Sequence, residues 1–337
     1  MTRTFVIAEV GPNHNGSLKL ALDMIEKLAS VGVDAIKFQL VVPESLYSKD
    51  SFKAPYQEKS HNISALEMCK LNQLSRSEHL ILFEECKKFN VEYLCTAFDI
   101  ESLRFLNEEL NISRFKIASG EILSLDLLDY MRNSDKPILL STGMATIDEI
   151  SNTIDYINKN SEKDITILHC ISSYPASLEN VNMNVMITLK EKFGYPVGFS
   201  DHTIGTISST TAVAMGASVI EKHVTMDKNL TGPDHQASST IEEFADLTKL
   251  IRVVEKIKGN SFKSFSENEL GVSKAARKSL VSSKTLENGH VILDEDLCYK
   301  RPGTGISPID KYLVLGKKVK ITIKKDSLMF LENLHGD

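Results

Sequence analysis

The sequence lacks an excess of positive charge and also lacks any long apolar run. Lys and Arg total 39 against 45 Asp and Glu, so the net charge is -6 at pH 7. Nucleic acids and anionic membranes are bound by clustered positive charge, and we therefore expect neither as a partner. No apolar run reaches the roughly 18 residues that a membrane-spanning helix needs. The N-terminal apolar stretch is too short for a signal peptide.

Cysteine is scarce and shows no pairing pattern. The 337 residues include five cysteines, and no two of them form a Cys-x-x-Cys motif. An odd number of cysteines without framework spacing is typical of a reducing compartment. We therefore predict a cytoplasmic protein.

What the sequence does contain is a strand–helix pattern that recurs over the first 260 residues. Strands that are apolar throughout and alternate with helices predict a parallel sheet buried on both faces. Eight such units are the number that closes an α/β TIM (β/α)8 barrel. The eight strand-like runs are 5–10, 35–40, 91–97, 114–119, 137–142, 165–171, 196–201 and 219–224.

An open, doubly wound sheet is the alternative to a barrel. Its dinucleotide-binding form carries a GxGxxG turn after the first strand. Here residues 11–16 read GPNHNG, so that fingerprint is absent. Thr146 followed by Glu149 predicts a capping box at the start of a helix.

The chain changes character near residue 260. Residues 259–270 are polar and loop-like, and the tail contains a weak repeat that relates Thr285–Ile292 to Thr322–Met329. We predict a catalytic barrel over 1–265, a linker over 266–280 and a small β-rich domain over 281–337. About 60 residues form only a marginal core, so the small domain is expected to lean on the barrel or on a second subunit.

The segment 43–75 is longer than an ordinary βα loop. Long loops in compact domains are more often functional lids than slack chain. We predict a lid here, with Tyr56 as a candidate to cover the barrel mouth.

Polar residues gather at the end of every predicted strand, which is where a TIM barrel carries its active site. His202 and His223 close the last two strands, which are neighbours in a barrel. Two imidazoles with carboxylates nearby suit a divalent metal with open positions. Ligands without thiolate favour Mn²⁺ or Mg²⁺ over structural zinc. The alternative is that each histidine is an ordinary core or loop residue.

Two lysines and several hydroxyls also point toward the predicted mouth. Ammonium groups with hydroxyls and backbone N–H groups form an anion site, most simply for a phosphate and a carboxylate. The alternatives are ion pairs with Glu121 or Glu221, or a Schiff-base lysine of an aldolase. The residues concerned are Lys37, Lys116, Ser119, Ser141 and Ser200.

Two acidic residues near the strand ends have competing interpretations. Glu121 is a candidate to bind a sugar hydroxyl or move a proton, or else it pairs with Lys116 or Arg114. The turn Gly232–His235 is predicted to be rigid and to hold Asp234 at the site; the alternative is that these residues only form an ordinary turn.

Eight phrases at these strand ends follow one another in a characteristic order: IAEVGPNHNGS, IKFQ, FKIASGE, LSTGMAT, LHCISSYP, FSDHT, EKHVT and TGPDH. They resemble the N-acetylneuraminate (sialic acid) synthase family, which also makes legionaminic and pseudaminic acids. The tail, with RKSLV, an Asn-Gly turn and KRPGTGI, resembles that family's C-terminal antifreeze-like (SAF) domain. The resemblance covers essentially the whole chain.

The resemblance implies a metal-dependent condensation of phosphoenolpyruvate with an open-chain N-acetylmannosamine-type sugar. C3 of phosphoenolpyruvate attacks the sugar aldehyde, water adds at C2, and phosphate leaves by C–O cleavage. It also implies a domain-swapped homodimer, in which Arg301 reaches the partner's barrel. By resemblance, the metal is bound by His202 and His223, and the catalytic residues are Glu121, Lys116, His202 and Arg301. The resemblance assigns the phosphoenolpyruvate site to Lys37, Thr96, Lys116, Ser119, Ser141, Ser172 and Ser200. Gln39, Glu121, Tyr174 and Asp234 would meet the sugar, and Asn15 is a further substrate-binding residue.

Three positions depart from the family pattern. Some members carry Glu where this chain has Asn15, the third strand reads Cys95–Phe98 in place of Ser-Thr-Pro-Phe, and Ser172 replaces Thr or Asn. These differences bear on sugar specificity. We predict an N-acetylneuraminate synthase, with an N,N'-diacetyllegionaminate synthase that uses 2,4-diacetamido-2,4,6-trideoxymannose as the alternative. A lysine aldolase and a non-catalytic carbohydrate-binding protein are the other two hypotheses.

Overall fold

The computed structural model describes residues 3–54 and 63–335, and Tyr56 lies outside these ranges. The chain forms two compact units, Met1–Asn260 and Ser261–Asp337. Each unit has a hydrophobic core of its own. None of the helices in the described ranges is both long enough and apolar enough to cross a membrane.

The first unit is a parallel barrel, as predicted. All eight predicted strands are present: β1 Phe5–Glu9, β2 Ala35–Leu40, β3 Glu92–Ala97, β4 Phe115–Ile117, β5 Ile138–Ser141, β6 Ile165–Cys170, β7 Val197–Asp201 and β8 Val219–Thr225. They pair in the order β3-β2-β1-β8-β7-β6-β5-β4, and β3 also lies beside β4, so the ring is nearly closed. A short strand, β9 (Ser239–Thr240), pairs in parallel with the end of β8.

Helices surround the barrel, and several begin at a side chain that caps the first turn. Ser17, Ser75 and Thr240 each accept a hydrogen bond from the backbone of the first turn, which satisfies a donor that the helix itself leaves unpaired. The capping box predicted from Thr146 and Glu149 is confirmed. The helices are α1 Leu18–Ser30, α2 Pro43–Leu46, α3 Ala65–Leu71, α4 Arg76–Lys88, α5 Ile100–Arg104, α6 Leu125–Arg132, α7 Ile147–Ile157, α8 Val185–Phe193, α9 Ile207–Ala214 and α10 Ile241–Lys258; a π turn, Phe105–Glu109, follows α5, and 3₁₀ turns lie at Ser119–Glu121, Leu178–Asn180 and His235–Ala237.

The barrel interior changes from apolar to polar over one repeat of the strand pleat. Side chains two residues apart on a strand face the same side, so the residue two positions after an interior residue is also interior. The apolar layer consists of Ile7, Ala35, Leu94, Leu139, Leu168 and Val219. Two residues further along the same strands lie Glu9, Lys37, Thr96, Ser141, Cys170 and Glu221, all buried.

The second unit is small and rich in β-bridges. α11 (Glu267–Ala276) lies in the range predicted as a linker, and β10 (Ser279–Ser282) pairs with β11 (Leu297–Lys300) in antiparallel register. Leu286 and Ile323 occupy equivalent positions in the predicted repeat, and their backbones exchange two hydrogen bonds of 2.8 Å. The core consists of Leu280, Leu286, Ile292, Val314, Val319, Ile323, Met329 and Leu334, and 3₁₀ turns lie at Asp294–Asp296, Pro308–Leu313 and Leu331–Asn333.

One buried carboxylate ties three parts of this unit together. Asp296 lies 2.6 Å from Lys284 Nζ and 2.6 Å from His290 Nε2, and it accepts a 2.9 Å hydrogen bond from the Leu293 N–H. Burial alone raises the pKa of Asp296, but these donors outweigh it and hold the pKa at about 2. Its charged form therefore stabilises the folded unit.

We predict that Asp296→Asn lowers the free energy of unfolding by about 2 kcal/mol at pH 7, because a neutral amide replaces a carboxylate with charged donors. The folded pKa lies below the ordinary Asp value of 3.8, so the contribution is present above pH 4 and is lost as the pH falls toward 2. Calorimetry of the full-length chain from pH 7 to pH 3 measures this.

Asp294→Asn is the matched control, since Asp294 pairs with Lys311 at 2.8 Å on the exposed surface. Such surface pairs contribute about 1 kcal/mol or less. Equal unfolding temperatures for the two variants at pH 7 would contradict the assignment.

Candidate active site

A cavity of about 370 Å³ lies at the C-terminal ends of the barrel strands. Twelve of the fifteen predicted site residues line it, so the strand ends converge as the fold requires. The twelve are Lys37, Gln39, Thr96, Lys116, Ser119, Ser141, Ser172, Tyr174, Ser200, His202, His223 and Asp234.

Four buried charges form the floor of this cavity. Lys37 Nζ lies 3.0 Å from Glu9 Oε2 and 3.4 Å from Glu221 Oε2, while Lys116 Nζ lies 3.8 Å from Glu221 Oε1. Burying an unpaired charge costs several kcal/mol, and here each lysine has a carboxylate beside it. The sequence left open whether the lysines form ion pairs with Glu221, and both lysines do. An anion that binds here would therefore meet lysines that are already paired with a carboxylate.

The pKa directions follow from this arrangement. Burial raises the pKa of Glu221, but Lys116 and Lys37 outweigh it and bring the pKa to about 2. Burial lowers the pKa of Lys116 more than Glu221 raises it. For Lys37, Glu221 and Glu9 outweigh burial, and the pKa rises. Of the two lysines, Lys37 is therefore the one that holds its proton more strongly.

Three hydroxyl oxygens in the cavity already accept a hydrogen bond from a neighbouring group. Lys116 Nζ donates to Ser141 Oγ at 2.6 Å, Lys37 Nζ donates to Thr96 Oγ1 at 3.3 Å, and the Gly143 N–H donates to Ser119 Oγ at 2.9 Å. A hydroxyl whose oxygen accepts a hydrogen bond keeps its own hydrogen for another partner. Ser200 differs, because it donates to Glu221 Oε1 at 2.9 Å.

The two predicted metal ligands face the same cavity. The rings of His202 and His223 are 5.5 Å apart, and the Tyr174 ring lies 4.1 Å and 5.5 Å from them. His202 Nδ1 donates to the Ile171 carbonyl at 2.7 Å, which leaves Nε2 with a lone pair. Burial lowers the pKa of His202 to about 4 and that of His223 well below its ordinary value.

Neutral imidazoles with available lone pairs are the form that binds a metal. Within the described ranges, His223 Nδ1 has no hydrogen-bond partner and lies 3.6 Å from Asp234 Oδ2. Burial, with Glu9 nearby, raises the pKa of Asp234 to about 7. The same ranges contain no group of three or more His, Cys, Asp or Glu arranged around a metal. A metal ion held by these two imidazole nitrogens would need further ligands, such as water or substrate oxygens, to complete its coordination shell.

Two further polar residues at the ends of these strands, Asp201 and Lys222, are not among the residues that line the cavity. Lys222 Nζ donates to Asp201 Oδ2 at 2.9 Å and to the Thr203 carbonyl at 2.6 Å. Asp201 also accepts from the Thr203 N–H and from Ser209 Oγ. This buried pair fixes the backbone beside His202 and His223 on the opposite face of the strands.

Three predicted site residues are not among the described residues that line the cavity. Asn15 Oδ1 accepts from His235 Nε2 at 3.1 Å, and Glu121 is hydrogen-bonded to Ser124. Burial raises the pKa of Glu121. Arg301 belongs to the second unit, where it is exposed. Its predicted role in a swapped homodimer stays a prediction.

The sequence reasoning assigned no role to several residues that line the cavity. Glu9 is one of them, although strand alternation places it on the same face of β1 as Ile7. Cys170 is another, with Sγ 3.2 Å from Ser119 Oγ. The segment predicted as a lid contributes Leu46, Tyr47, Met68, Cys69, Asn72 and Gln73.

Comparison with known proteins agrees with this site. The family model described as the NeuB family matches residues 24–263, and that of the SAF domain matches residues 277–332. The N,N'-diacetyllegionaminic acid synthase of Campylobacter jejuni is 42% identical over 98% of this chain and 99% of its own length. Human N-acetylneuraminate-9-phosphate synthase is 30% identical over 97% of this chain and 92% of its own length.

A solved structure shows the same barrel. The N-acetylneuraminic acid synthetase of Leptospira borgpetersenii superposes with a TM-score of 0.73 at 34% identity, covering 80% of this chain and 90% of that one. Fold and site thus define a (β/α)8 barrel enzyme whose mouth holds two carboxylate-paired lysines and two neutral histidines. The chain belongs to the NeuB family and carries a SAF domain. The predicted family, the SAF domain and the enzymatic nature of the chain are confirmed.

We predict that Lys222→Met lowers the free energy of unfolding by about 3–5 kcal/mol, because it leaves Asp201 buried without its cation. Urea unfolding followed by far-ultraviolet circular dichroism measures the change. Lys228→Met is the control, since Lys228 pairs with Glu243 at 2.6 Å where both side chains are partly exposed. A loss of about 1 kcal/mol or less is expected there. Similar losses in both variants would show that the buried pair is not needed for stability.

Proposed function

We propose that the protein condenses phosphoenolpyruvate with the open-chain aldehyde of a 2-acetamido-mannose-type sugar. A carbon–carbon bond forms between C3 of phosphoenolpyruvate and the sugar carbonyl carbon. Water adds at C2 and gives up a proton, while the former carbonyl oxygen of the sugar takes one up. The bond between C2 and the bridging oxygen then breaks, and that oxygen leaves as part of inorganic phosphate. The observation that supports this most directly is that two lysines, three hydroxyls and two neutral imidazoles line one and the same cavity.

The lysine–hydroxyl side of the cavity suits the anionic substrate. Lys37 and Lys116 share two carboxylates, so the four charged groups nearly cancel in the free protein. An incoming phosphate or carboxylate therefore depends on directed donors as well as on charge. Thr96, Ser119 and Ser141 supply such donors, because their oxygens already accept from neighbouring groups.

The imidazole side suits a divalent metal, Mn²⁺ or Mg²⁺, held by His202 and His223. The Nε2 lone pair of His202 and the lowered pKa values of both rings fit that role. When bound, such an ion acts as a Lewis acid on a carbonyl oxygen. Gln39, Tyr174 and Asp234 line the same cavity and are proposed to orient the sugar.

The identity of the sugar is the finer part of the proposal. The sequence alone favoured N-acetylmannosamine, the acceptor of an N-acetylneuraminate synthase. The relative from C. jejuni with the higher identity makes N,N'-diacetyllegionaminic acid, whereas the human N-acetylneuraminate-9-phosphate synthase is more distant. We therefore propose 2,4-diacetamido-2,4,6-trideoxymannose as the acceptor and keep N-acetylmannosamine as the alternative.

The acceptor is tested by incubating the full-length enzyme, Mn²⁺ and phosphoenolpyruvate with each hexose and measuring phosphate release. We predict kcat/KM at least tenfold higher for the diacetamido trideoxy sugar than for N-acetylmannosamine. The reverse order would establish the N-acetylneuraminate synthase. If neither sugar releases phosphate, the proposed condensation is wrong.

A lysine aldolase is the second candidate, because burial lowers the pKa of Lys116 and thus favours its neutral, nucleophilic amine. It predicts an adduct on Lys116 that borohydride traps, and activity that survives EDTA. The condensation proposed above predicts neither result. Mass spectrometry of the treated enzyme with substrate separates the two.

We predict that His202→Gln and His223→Gln each weaken Mn²⁺ binding at least tenfold and lower kcat at least a hundredfold. Isothermal titration with Mn²⁺ measures binding without the reaction. His335→Gln serves as a control, because His335 is exposed in the second unit, and it should retain both properties. Unchanged Mn²⁺ affinity in the two cavity variants would show that His202 and His223 do not bind the metal.

A further inference from the structure

The loop after β5 places one backbone N–H between two side chains of the cavity. The Gly143 N–H donates to Ser119 Oγ at 2.9 Å and to Cys170 Sγ at 3.1 Å. Ser119 Oγ and Cys170 Sγ are themselves 3.2 Å apart. A single peptide group thus joins the loop after β4 to the end of β6.

There is no room for a side chain at this position. A Cβ added to Gly143 would lie 2.3 Å from Ser172 Oγ, 2.9 Å from Ser119 Oγ and 3.0 Å from Cys170 Sγ. Contacts shorter than 3.0 Å force a neighbour to move. The backbone of Gly143 lies outside the left-handed region, so its conformation alone does not call for glycine. The need for glycine arises from the three side chains that converge on it.

Two of the three convergent groups are hydroxyls of the proposed phosphoenolpyruvate site. Because Ser119 Oγ accepts from the Gly143 N–H, the Ser119 hydroxyl hydrogen points away from that N–H, toward Cys170 Sγ at 3.2 Å or toward a bound acceptor. Ser172 comes from the loop after β6, and it can approach Ser119 because Gly143 presents only hydrogen between them. The direction of the Ser119 hydroxyl and the position of the Ser172 hydroxyl therefore both depend on Gly143, which is not one of the predicted site residues.

We propose that Gly143 is a positioning residue of the phosphoenolpyruvate site, which sets the Ser119 and Ser172 hydroxyls toward the bound anion, with Cys170 as the second acceptor that fixes its N–H. This inference rests on the proposed function, since the anion is phosphoenolpyruvate. It concerns the binding of that substrate and leaves the sugar side of the cavity unaffected.

The test compares Gly143→Ala with Gly271→Ala in the full-length enzyme. Gly271 is the matched control, because it lies in α11 and not at the cavity, and a Cβ there meets no atom of the described residues within 4 Å. Isothermal titration with phosphoenolpyruvate is expected to show Kd at least tenfold higher for Gly143→Ala and within twofold of wild type for Gly271→Ala. The KM of the sugar is expected to change less than threefold in both.

A double-mutant cycle with Ser172→Ala separates positioning from general damage. If the added methyl acts mainly by displacing Ser172 Oγ, Gly143→Ala raises the Kd at most threefold once Ser172 is alanine. If the Kd of the double variant rises by the product of the two single-variant factors, the two substitutions act independently and the positioning role is wrong. A rise in the KM of the sugar equal to that for phosphoenolpyruvate would also overturn it.

The remaining outcomes are distinguishable. If the wild-type enzyme does not bind phosphoenolpyruvate, the proposed function fails; if wild type and Gly143→Ala bind it equally, only this inference fails. If Gly143→Ala does not fold, Cys170→Ala removes the second acceptor without adding bulk. That variant is expected to raise the Kd for phosphoenolpyruvate at least threefold, and an unchanged Kd would overturn the inference.

Discussion

The site depends on one buried carboxylate, Glu221, which lies between the ammonium groups of Lys37 and Lys116. Two lysines inside a barrel would each carry a desolvation cost of several kcal/mol without a counter-charge. Glu221 on β8 and Glu9 on β1 supply that charge from adjacent strands. The barrel can therefore hold two cations at the level where its apolar interior ends, and the cavity is built above them.

This charge balance determines how the cavity can handle an anion. Because the lysines are already paired, selectivity depends on where the hydroxyl hydrogens point, and those directions are set by Lys37, Lys116 and the Gly143 N–H. The imidazoles on the other side stay neutral because burial penalises their charged form. One end of the barrel thus offers directed donors on one side and imidazole lone pairs on the other, an arrangement that fits the proposed condensation of an enol phosphate with an aldehyde.

Much of this was predictable, because strand alternation and the (β/α)8 rule follow from local sequence. Lys37, Lys116, His202 and His223 close apolar runs, and each lies at the cavity. Strand alternation also places Asp201 and Lys222 on the opposite face from Ser200 and Glu221, where they form a buried ion pair. Asn15 and Glu121 lie beyond the strands and are not among the described residues that line the cavity; Asn15 has a φ of 50° and Glu121 lies in a 3₁₀ turn. Alternation does not fix side-chain direction in such turns.

The sequence by itself determined the eight strands, the parallel order, the small β-rich tail and the set of chemical groups at the strand ends, because each depends on neighbours within a few residues. Only the tertiary structure decided which of those groups are partners. Glu9 and Glu221 are 212 positions apart along the chain and on adjacent strands in space, and the crowding at Gly143 involves three separate strand–loop units. Distances across a closed ring arise from closure of the barrel, and no local pattern encodes them.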